Sequence, residues 1–483
     1  MRTDMARTLV GLAGLAFAGC ATLRPDADFG AVRVQVDQRT GWQPQWHQLG
    51  PQDQQVEERT RALLAQELTV DGAIELALLN NRRLQAAYGE LGVARADLVQ
   101  AGLLANPTLD ADVAFGVTGA GTGVALGLVQ NFLRALQIPL RTRVAAAVLE
   151  EAKLAVAAQV IDLVFEVKRA FVRVQGGEQL LELDRSVAEA TRLAAELAQK
   201  QRAAGNITDL DLSNELVLFE EARVKLAADE AEVASAREAL TARMGLWGPR
   251  TTWTIGARLP DPPDDEVAAE GLESLAVAQR LDLAAARREM EALHESLGLT
   301  GLAGVISDAG LGIGAERDFD SGIWSLGPLL SLPIPIFDQG QATRAGALAR
   351  LHQSEENFFA LAVEIRSQVR RARTLLQSAR QRTDHYRRVV LPLRHRIVDQ
   401  TQLEYNGMLV GVFQLLQAKQ AEIDAGRAYV ETLTDYWLAR ADLESAVGGA
   451  LSAPRRTVVS PAVAAPAAGA AEAHPPHHHG GAP

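Results

Sequence analysis

Cysteine is nearly absent: Cys20 is the one cysteine among 483 residues. It can close no intramolecular disulfide, and no CxxC pair is left for a metal or redox centre. Aromatic residues make up only 5%, so the 48% apolar content rests on alanine and leucine, as in long close-packed helices. A basic excess is also missing. The 48 Lys and Arg stand against 60 Asp and Glu, a formal charge of −12 that removes a nucleic-acid footprint. No uncharged apolar run after the N-terminus reaches the roughly 18 residues of a transmembrane helix, so any crossing must use strands. Finally, there is no GxSxG, HExxH or P-loop, and His47, His294, His352, His385 and His395 lack metal-ligand spacing. Neither an enzyme nor a cofactor is expected.

The N-terminus accounts for the lone cysteine. Arg2 and Arg7 precede an apolar run, Thr8–Ala18, and Ala18-Gly19 lead into Cys20. This reads as a signal peptide over residues 1–19 with lipid attached at Cys20, ahead of an N-terminal extension over 20–67. At the other end, residues 452–483 are rich in Ala and Pro, lack periodicity and read as a disordered tail. His474, His477, His478 and His479 lie in that tail. They are candidate Zn, Cu or Ni ligands, with a plain solvated tract as the alternative.

Between these ends the chain repeats itself. Asn81–Glu90 aligns with Arg280–Glu289 at an offset of 199 residues, and Leu212, Arg237 and Gly245 match Leu415, Arg440 and Gly448 at 203. The two halves span 68–247 and 272–451, joined by a proline-containing segment, 248–271. Each half reads helix, β-hairpin, long helix, tip, helix.

The hairpins are expected at 108–132 and 305–335. In the first, Leu109, Ala111, Val113, Phe115 and Val117 alternate with small or polar residues that include Asp110 and Asp112. In the second, Leu311 and Ile313 answer Trp324, Leu326 and Leu330, and Asp308 joins the polar face. The long helices run from Leu140 to about Ala204 and from Gln341 to about Asn406, each about 100 Å at 1.5 Å per residue. Seven-residue spacing supports coiled-coil packing, with Leu183, Val187, Ala190, Ala194 and Leu197 on one helix and Phe219, Leu226, Val233 and Leu240 on the next. Gly176-Gly177 and Pro392 are candidate kinks. Tips fall at 205–209 and 406–411, where Gly205-Asn206 and Asn406-Gly407 are expected to turn the chain with positive φ at glycine. Thr208-x-x-Asp211 reads as a capping box.

Four strands cannot close a barrel, so more than one copy is required. Four blocks then carry a resemblance: Leu68–Asn81, Ala101–Pro107, Leu330–Gly340 and Tyr405–Ala418. In this order, with the duplication, they resemble TolC-type outer-membrane efflux proteins, particularly the lipoprotein exit ducts of RND tripartite pumps. The resemblance implies an α+β membrane protein: a homotrimer with a twelve-stranded β-barrel in the outer membrane and a long helical coiled-coil barrel in the periplasm. It implies partners as well, namely outer-membrane lipids, a periplasmic adaptor docked at the tips, and an inner-membrane RND pump reached through it. Small solutes, drugs or heavy-metal cations, would be the cargo. A duct for type I protein secretion and a lipid-tethered structural coiled coil are the alternatives. The implied gate lies near the tips, where Asp209, Asp211, Gln414 and Gln417 are the candidates.

Overall fold

The computed structural model describes residues 26–47, 52–115, 122–256, 258–264, 270–300, 309–318 and 321–451. Cys20 with its signal peptide, Val117, Asp308 and the histidine tail lie outside the described residues.

Two helices, α1 (Asp26–Thr40) and α2 (Gln52–Leu64), fill the expected extension. The first half then gives α3 (Val70–Asn80), α4 (Arg82–Gly102), β1 (Thr108–Phe115), β2 (Thr122–Gln130), a short α5 (Phe132–Leu136), α6 (Ile138–Ala203) and α7 (Asp209–Arg243). The second half repeats the order with α8 (Leu272–Gln279), α9 (Leu281–Leu297), β3 (Gly310–Arg317), β4 (Trp324–Ser331), α10 (Gln341–His385), α11 (Leu391–Asn406) and α12 (Val412–Val447). Between the halves, Gly248–Thr251 forms a 3₁₀ turn, and Leu68 pairs with Ile255 in a single parallel bridge.

All four strands join one antiparallel sheet in the order β1-β2-β3-β4. Its register sorts the side chains cleanly. Leu109, Leu128, Ile313 and Pro328 form one row, and Ala111, Leu126, Ala315 and Leu326 the next. The opposite face carries Asp110, Gly127, Gly314 and Gly327, then Asp112, Ala125, Glu316 and Ser325. Leu329 departs from the alternation. It falls on the small face because Gly127 and Gly314 leave room: a Cβ on them would stand 3.1 and 2.8 Å from its Cδ1. The apolar face is bare, with Leu326 at 77% and Leu330 at 74% exposure. β1 and β4 are open edges.

The expected rods form. Among the long helices α7 packs on α6, α6 on α12, and α12 on both α10 and α11, so α7 and the α10–α11 rod lie at opposite ends of the layer. α6 is continuous for 66 residues, about 99 Å, with Pro139 in its first turn where the missing N–H costs nothing. The kink expected at Gly176-Gly177 is absent, because these glycines face neighbouring helices. A Cβ on Gly176 would sit 2.3 Å from Thr434 Oγ1, and one on Gly177 would sit 2.9 Å from Val233 Cγ2. Close approach explains them. In the second rod the regular helix gives way to a π turn over Tyr386–Val390, just before Pro392, whose ring cannot donate to the preceding turn.

One predicted seam needs correcting. Val233 and Leu240 are buried as expected. On α6, however, the inward residues are Leu181, Asp184, Ala195 and Ala198. Leu183 and Val187 are half-buried, and Leu197 is exposed. Small alanines let α7 come close, and the larger side chains turn outward.

The main core lies at the strand-proximal end of the rods. Val156, Val160, Val164, Phe165 and Phe171 of α6 meet Ile74 and Leu76 of α3 and Leu84, Tyr88 and Leu91 of α4. α1 is tied onto it through Asp28, whose buried carboxylate accepts from Arg95 Nε (2.7 Å) and Nη2 (2.5 Å). A second core joins Ile365, Val369 and Leu376 of α10 to Tyr436 and Leu443 of α12.

Candidate functional site

The first tip is built from a glycine and a cap. α6 ends at Ala203, Gly205 takes φ +78, and Asn206 N–H returns to Gln201 O at 2.9 Å. Only glycine holds that φ without a Cβ penalty. Thr208 caps α7: its Oγ1 accepts from Asp211 N–H (3.1 Å), while its own N–H and O–H donate to Asp211 Oδ2 (3.0 and 2.7 Å). The Thr208 hydrogen bonds hold the Asp211 carboxyl below its ordinary range. Asp211 is therefore a capping residue.

Asp209 is not a free charge. Arg202 grips it with two bonds, Nε to Oδ1 at 2.5 Å and Nη2 to Oδ2 at 2.9 Å. The Arg202 bond and charge lower its pKa. The chain thus presents an Arg202–Asp209 pair here, with no net charge.

The second tip turns differently. Gly407 sits at φ −79, and Met408 takes the left-handed position at φ +59. The expected role of Gly407 is therefore wrong, and the strain falls one residue later. Met408 N–H and Leu409 N–H bond back to Tyr405 O and Glu404 O, both at 2.9 Å. Asn406 Oδ1 accepts from Gln402 Nε2 at 3.1 Å. Gln414 serves the turn as well, its Oε1 accepting from Gly411 N–H at 2.6 Å. Gln417 is exposed. Met408, at 94% exposure, and Leu409 make this tip apolar.

Farther up the rods lies a cluster that the sequence reading did not single out. Arg427 of α12 reaches between α6 and α7. Its Nη2 donates to both Asp184 oxygens, one of them at 2.6 Å, and to Asp229 Oδ2 at 2.7 Å. Lys225 Nζ also binds Asp229 (2.7 Å), and Glu431 stands 3.7 Å from Arg427 Nη1. The Asp184 carboxylate is almost wholly buried. Burial first, then its contact with Asp229, pushes the Asp184 pKa up against the pull of Arg427. Burial opposes ionisation of Asp229 too, but its bonds from Asp184 and Lys225 and the nearby cations hold it low. Asp184 and Asp229 lie about 20 helical residues above the first tip, some 30 Å at 1.5 Å per residue. Tipward of the cluster, among the described residues, side-chain hydrogen bonds stay within one hairpin, as Arg202–Asp209 and His395–Glu422 (3.0 Å) do. Arg427 thus marks where the hairpin α11–α12 separates from α6–α7. No three His, Cys, Asp or Glu converge as a metal site among the described residues.

No protein-family model matches the chain. In sequence it is similar to the cobalt-zinc-cadmium resistance protein CzcC of Cupriavidus metallidurans, 24% identical over 389 residues, 79% of this chain and 90% of that protein. It is also similar to the outer membrane protein OprJ of Pseudomonas aeruginosa, 26% identical over 62% of this chain and 64% of that one. Among solved structures, the CmeC outer membrane channel of Campylobacter jejuni superposes with a TM-score of 0.67 at 14% identity, covering 79% of this chain and 85% of CmeC. The likeness is to TolC-type outer-membrane efflux proteins. These are channels rather than enzymes, set in the outer membrane with a helical part in the periplasm. The sheet and rods above correspond to those two parts.

Proposed function

We propose that this protein is the outer-membrane exit duct of a tripartite efflux system, assembled from three copies and tethered by lipid on Cys20. The observation that carries the reading is the four-stranded sheet with one bare apolar face and two open edges, mounted on rods about 100 Å long. An unpaired strand edge in lipid costs several kcal/mol per backbone group, on the order of the penalty for burying a bare amide, so further copies must complete the sheet. Three copies give twelve strands and a tube of rods. The apolar rows face lipid, and the rows holding Asp110, Asp112 and Glu316 face the lumen.

In this reading the tips at Gly205-Asn206 and Asn406-Gly407 dock the periplasmic adaptor, and an inner-membrane RND pump supplies the cargo. The exposed Met408 and Leu409 add apolar area to the second tip. The gate acts through the Arg427 cluster, which holds the two hairpins together, more than through Asp209, Asp211, Gln414 or Gln417. Three of those four already serve local bonds. Heavy-metal cations are the favoured cargo, because CzcC is named for cobalt, zinc and cadmium resistance and is matched over most of its length. Protein export through a type I system is the second reading.

The test has two parts. Purified protein in a planar bilayer should give discrete conductance steps. A deletion strain should become sensitive to cadmium, zinc or cobalt and regain resistance with the gene restored. Absence of channels would refute the duct reading. Sensitivity confined to hydrophobic drugs would keep the duct and replace the cargo.

A further inference from the structure

One imidazole on the second hairpin is supported in the way a metal ligand is supported. His395 of α11 meets Glu422 of α12, its Nδ1 3.0 Å from Glu422 Oε1. An ionised carboxylate can only accept, so Nδ1 carries the proton, and in the neutral ring the lone pair falls on Nε2. Lys419 Nζ donates to the other oxygen of Glu422 at 2.5 Å and steadies the carboxylate in turn. Glu422 is largely covered, whereas the His395 side chain is 69% exposed. The ring is thus braced through one nitrogen and open to solvent.

A second donor lies one turn along the same face of α11. Asp399 Oδ2 is 3.7 Å from His395 Nε2, and the Asp399 side chain is also mostly exposed. Two ligand atoms on a tetrahedral ion, with bonds of about 2.1 Å, stand about 3.4 Å apart. The pair is therefore within about 0.3 Å of the separation that a shared ion requires. Glu422, bound to the far ring nitrogen, occupies the place of the outer carboxylate that orients most metal-bound histidines. The flanking Arg394 and Arg396 lie about 100° around the helix to either side. Histidine spacing alone conceals the arrangement, because the second ligand is an aspartate and the outer carboxylate comes from another helix. Only two ligating side chains meet, in keeping with the absence of any convergent group of three among the described residues.

We propose that His395 and Asp399 form a transient binding site for a zinc-class divalent cation, with Glu422 as the positioning residue. Imidazole with one carboxylate suits zinc and its transition-metal neighbours, whereas magnesium takes oxygen ligands. Counted along α11, the two ligands lie about 11 to 17 Å from the second tip. The inference rests on the duct reading and deepens it, placing a station for the cargo near the end that docks the adaptor. Two protein ligands, with water in the remaining positions, give modest affinity and rapid release. A duct requires both, since a cargo ion must enter and must also leave.

Calorimetric titration of the full-length protein in detergent with Zn²⁺ tests the site. Every protein compared carries His474→Ala, His477→Ala, His478→Ala and His479→Ala, so that the tail does not compete. One ion per chain should bind, and excess Mg²⁺ should not displace it. His395→Ala and Asp399→Asn should each weaken binding by about tenfold or more, and Glu422→Gln by about ten- to a hundredfold. Asp399→His sets two imidazoles one turn apart on one face and should tighten binding by about tenfold or more. That gain cannot come from misfolding, which would show as lost helical signal. Weakening in the first three variants with tightening in the fourth supports the site. Zinc affinity indifferent to His395→Ala, or no tighter in Asp399→His, overturns it and leaves the duct reading to its conductance steps. A protein that binds zinc through His395 yet opens no channel keeps the site and overturns the duct reading.

Discussion

Replacing Arg427 with methionine keeps an unbranched stem of similar girth and removes the charged guanidinium. Asp184 and Asp229 are then left facing each other between α6 and α7, with Lys225 bound only to the second. Removing one partner of a buried ion pair costs about 3 to 5 kcal/mol. Arg427 retains one-fifth of its side-chain exposure, so solvent softens the loss, and about 2 to 3 kcal/mol is expected. The pH dependence follows from Asp184. Its pKa is raised in the folded chain, so the stability it contributes is complete below its unfolded pKa and is lost as pH rises through the folded value. Without Arg427 that rise is larger. The variant should therefore be weakest at pH 8 and recover toward pH 5, where one proton can bridge the two carboxyls. Two measurements check this: thermal unfolding across that pH range, and spin-label distances between residues 204 and 410. The tips should move apart and their distances broaden at pH 8, and should draw together at pH 5. Wild-type melting with an unchanged distance distribution at both pH values would refute Arg427 as the joint between hairpins.

The other predictions concern the turns and the close helix contact. Gly407→Ala should melt like the wild type, because Gly407 has negative φ and a Cβ there meets nothing nearer than 3.5 Å. Gly205→Val should cost on the order of 1 to 2 kcal/mol, since a β-branched residue would have to hold φ +78. Equal melting of the two variants in a calorimeter would contradict this. Thr208→Ala should cost about 1 kcal/mol by denaturant titration, through loss of the cap on α7. Gly176→Ala should cost roughly 1 to 3 kcal/mol, because its methyl would fall 2.3 Å from Thr434 Oγ1. Adding Thr434→Ala should return much of that, and a double variant no better than Gly176→Ala would place the cause elsewhere.

Legibility followed the range of the interactions. Hairpins, rods and the Thr208-x-x-Asp211 cap were readable because each depends on neighbours a few residues away, through period-2 alternation, long uninterrupted helix and a fixed cap spacing. Leu329 escaped the alternation because its space is made by Gly127 and Gly314, on two other strands. Gly176-Gly177 misled for a similar reason. Glycine within a helix suggests weakness, while its use here depends on Thr434, more than 250 residues away. Arg427, Asp184 and Asp229 share no local motif at all. The available signal was Asp184 itself, an acid on the inward line of α6 with Leu181 and Ala195. A buried carboxylate in such a line demands a cation from another element.

The two tips show where the duplicated halves have parted in chemistry. In the first, glycine takes the left-handed position, a threonine and an aspartate close the cap, and a second aspartate is neutralised by Arg202. In the second, Met408 takes the left-handed position and Gln414 supplies one uncharged bond to Gly411. A non-glycine residue at positive φ costs roughly 1 kcal/mol, and the second tip retains that strain while exposing Met408 and Leu409. Strain without compensating packing inside one chain is sustained most simply by contacts outside it. For a tip reading as an adaptor dock, Met408→Gly should then raise the stability of the isolated protein by about 1 kcal/mol and weaken adaptor binding through lost apolar area. Opposite signs in the two measurements are the expected signature. A change that stabilises the chain and leaves binding untouched would remove Met408 from the docking surface.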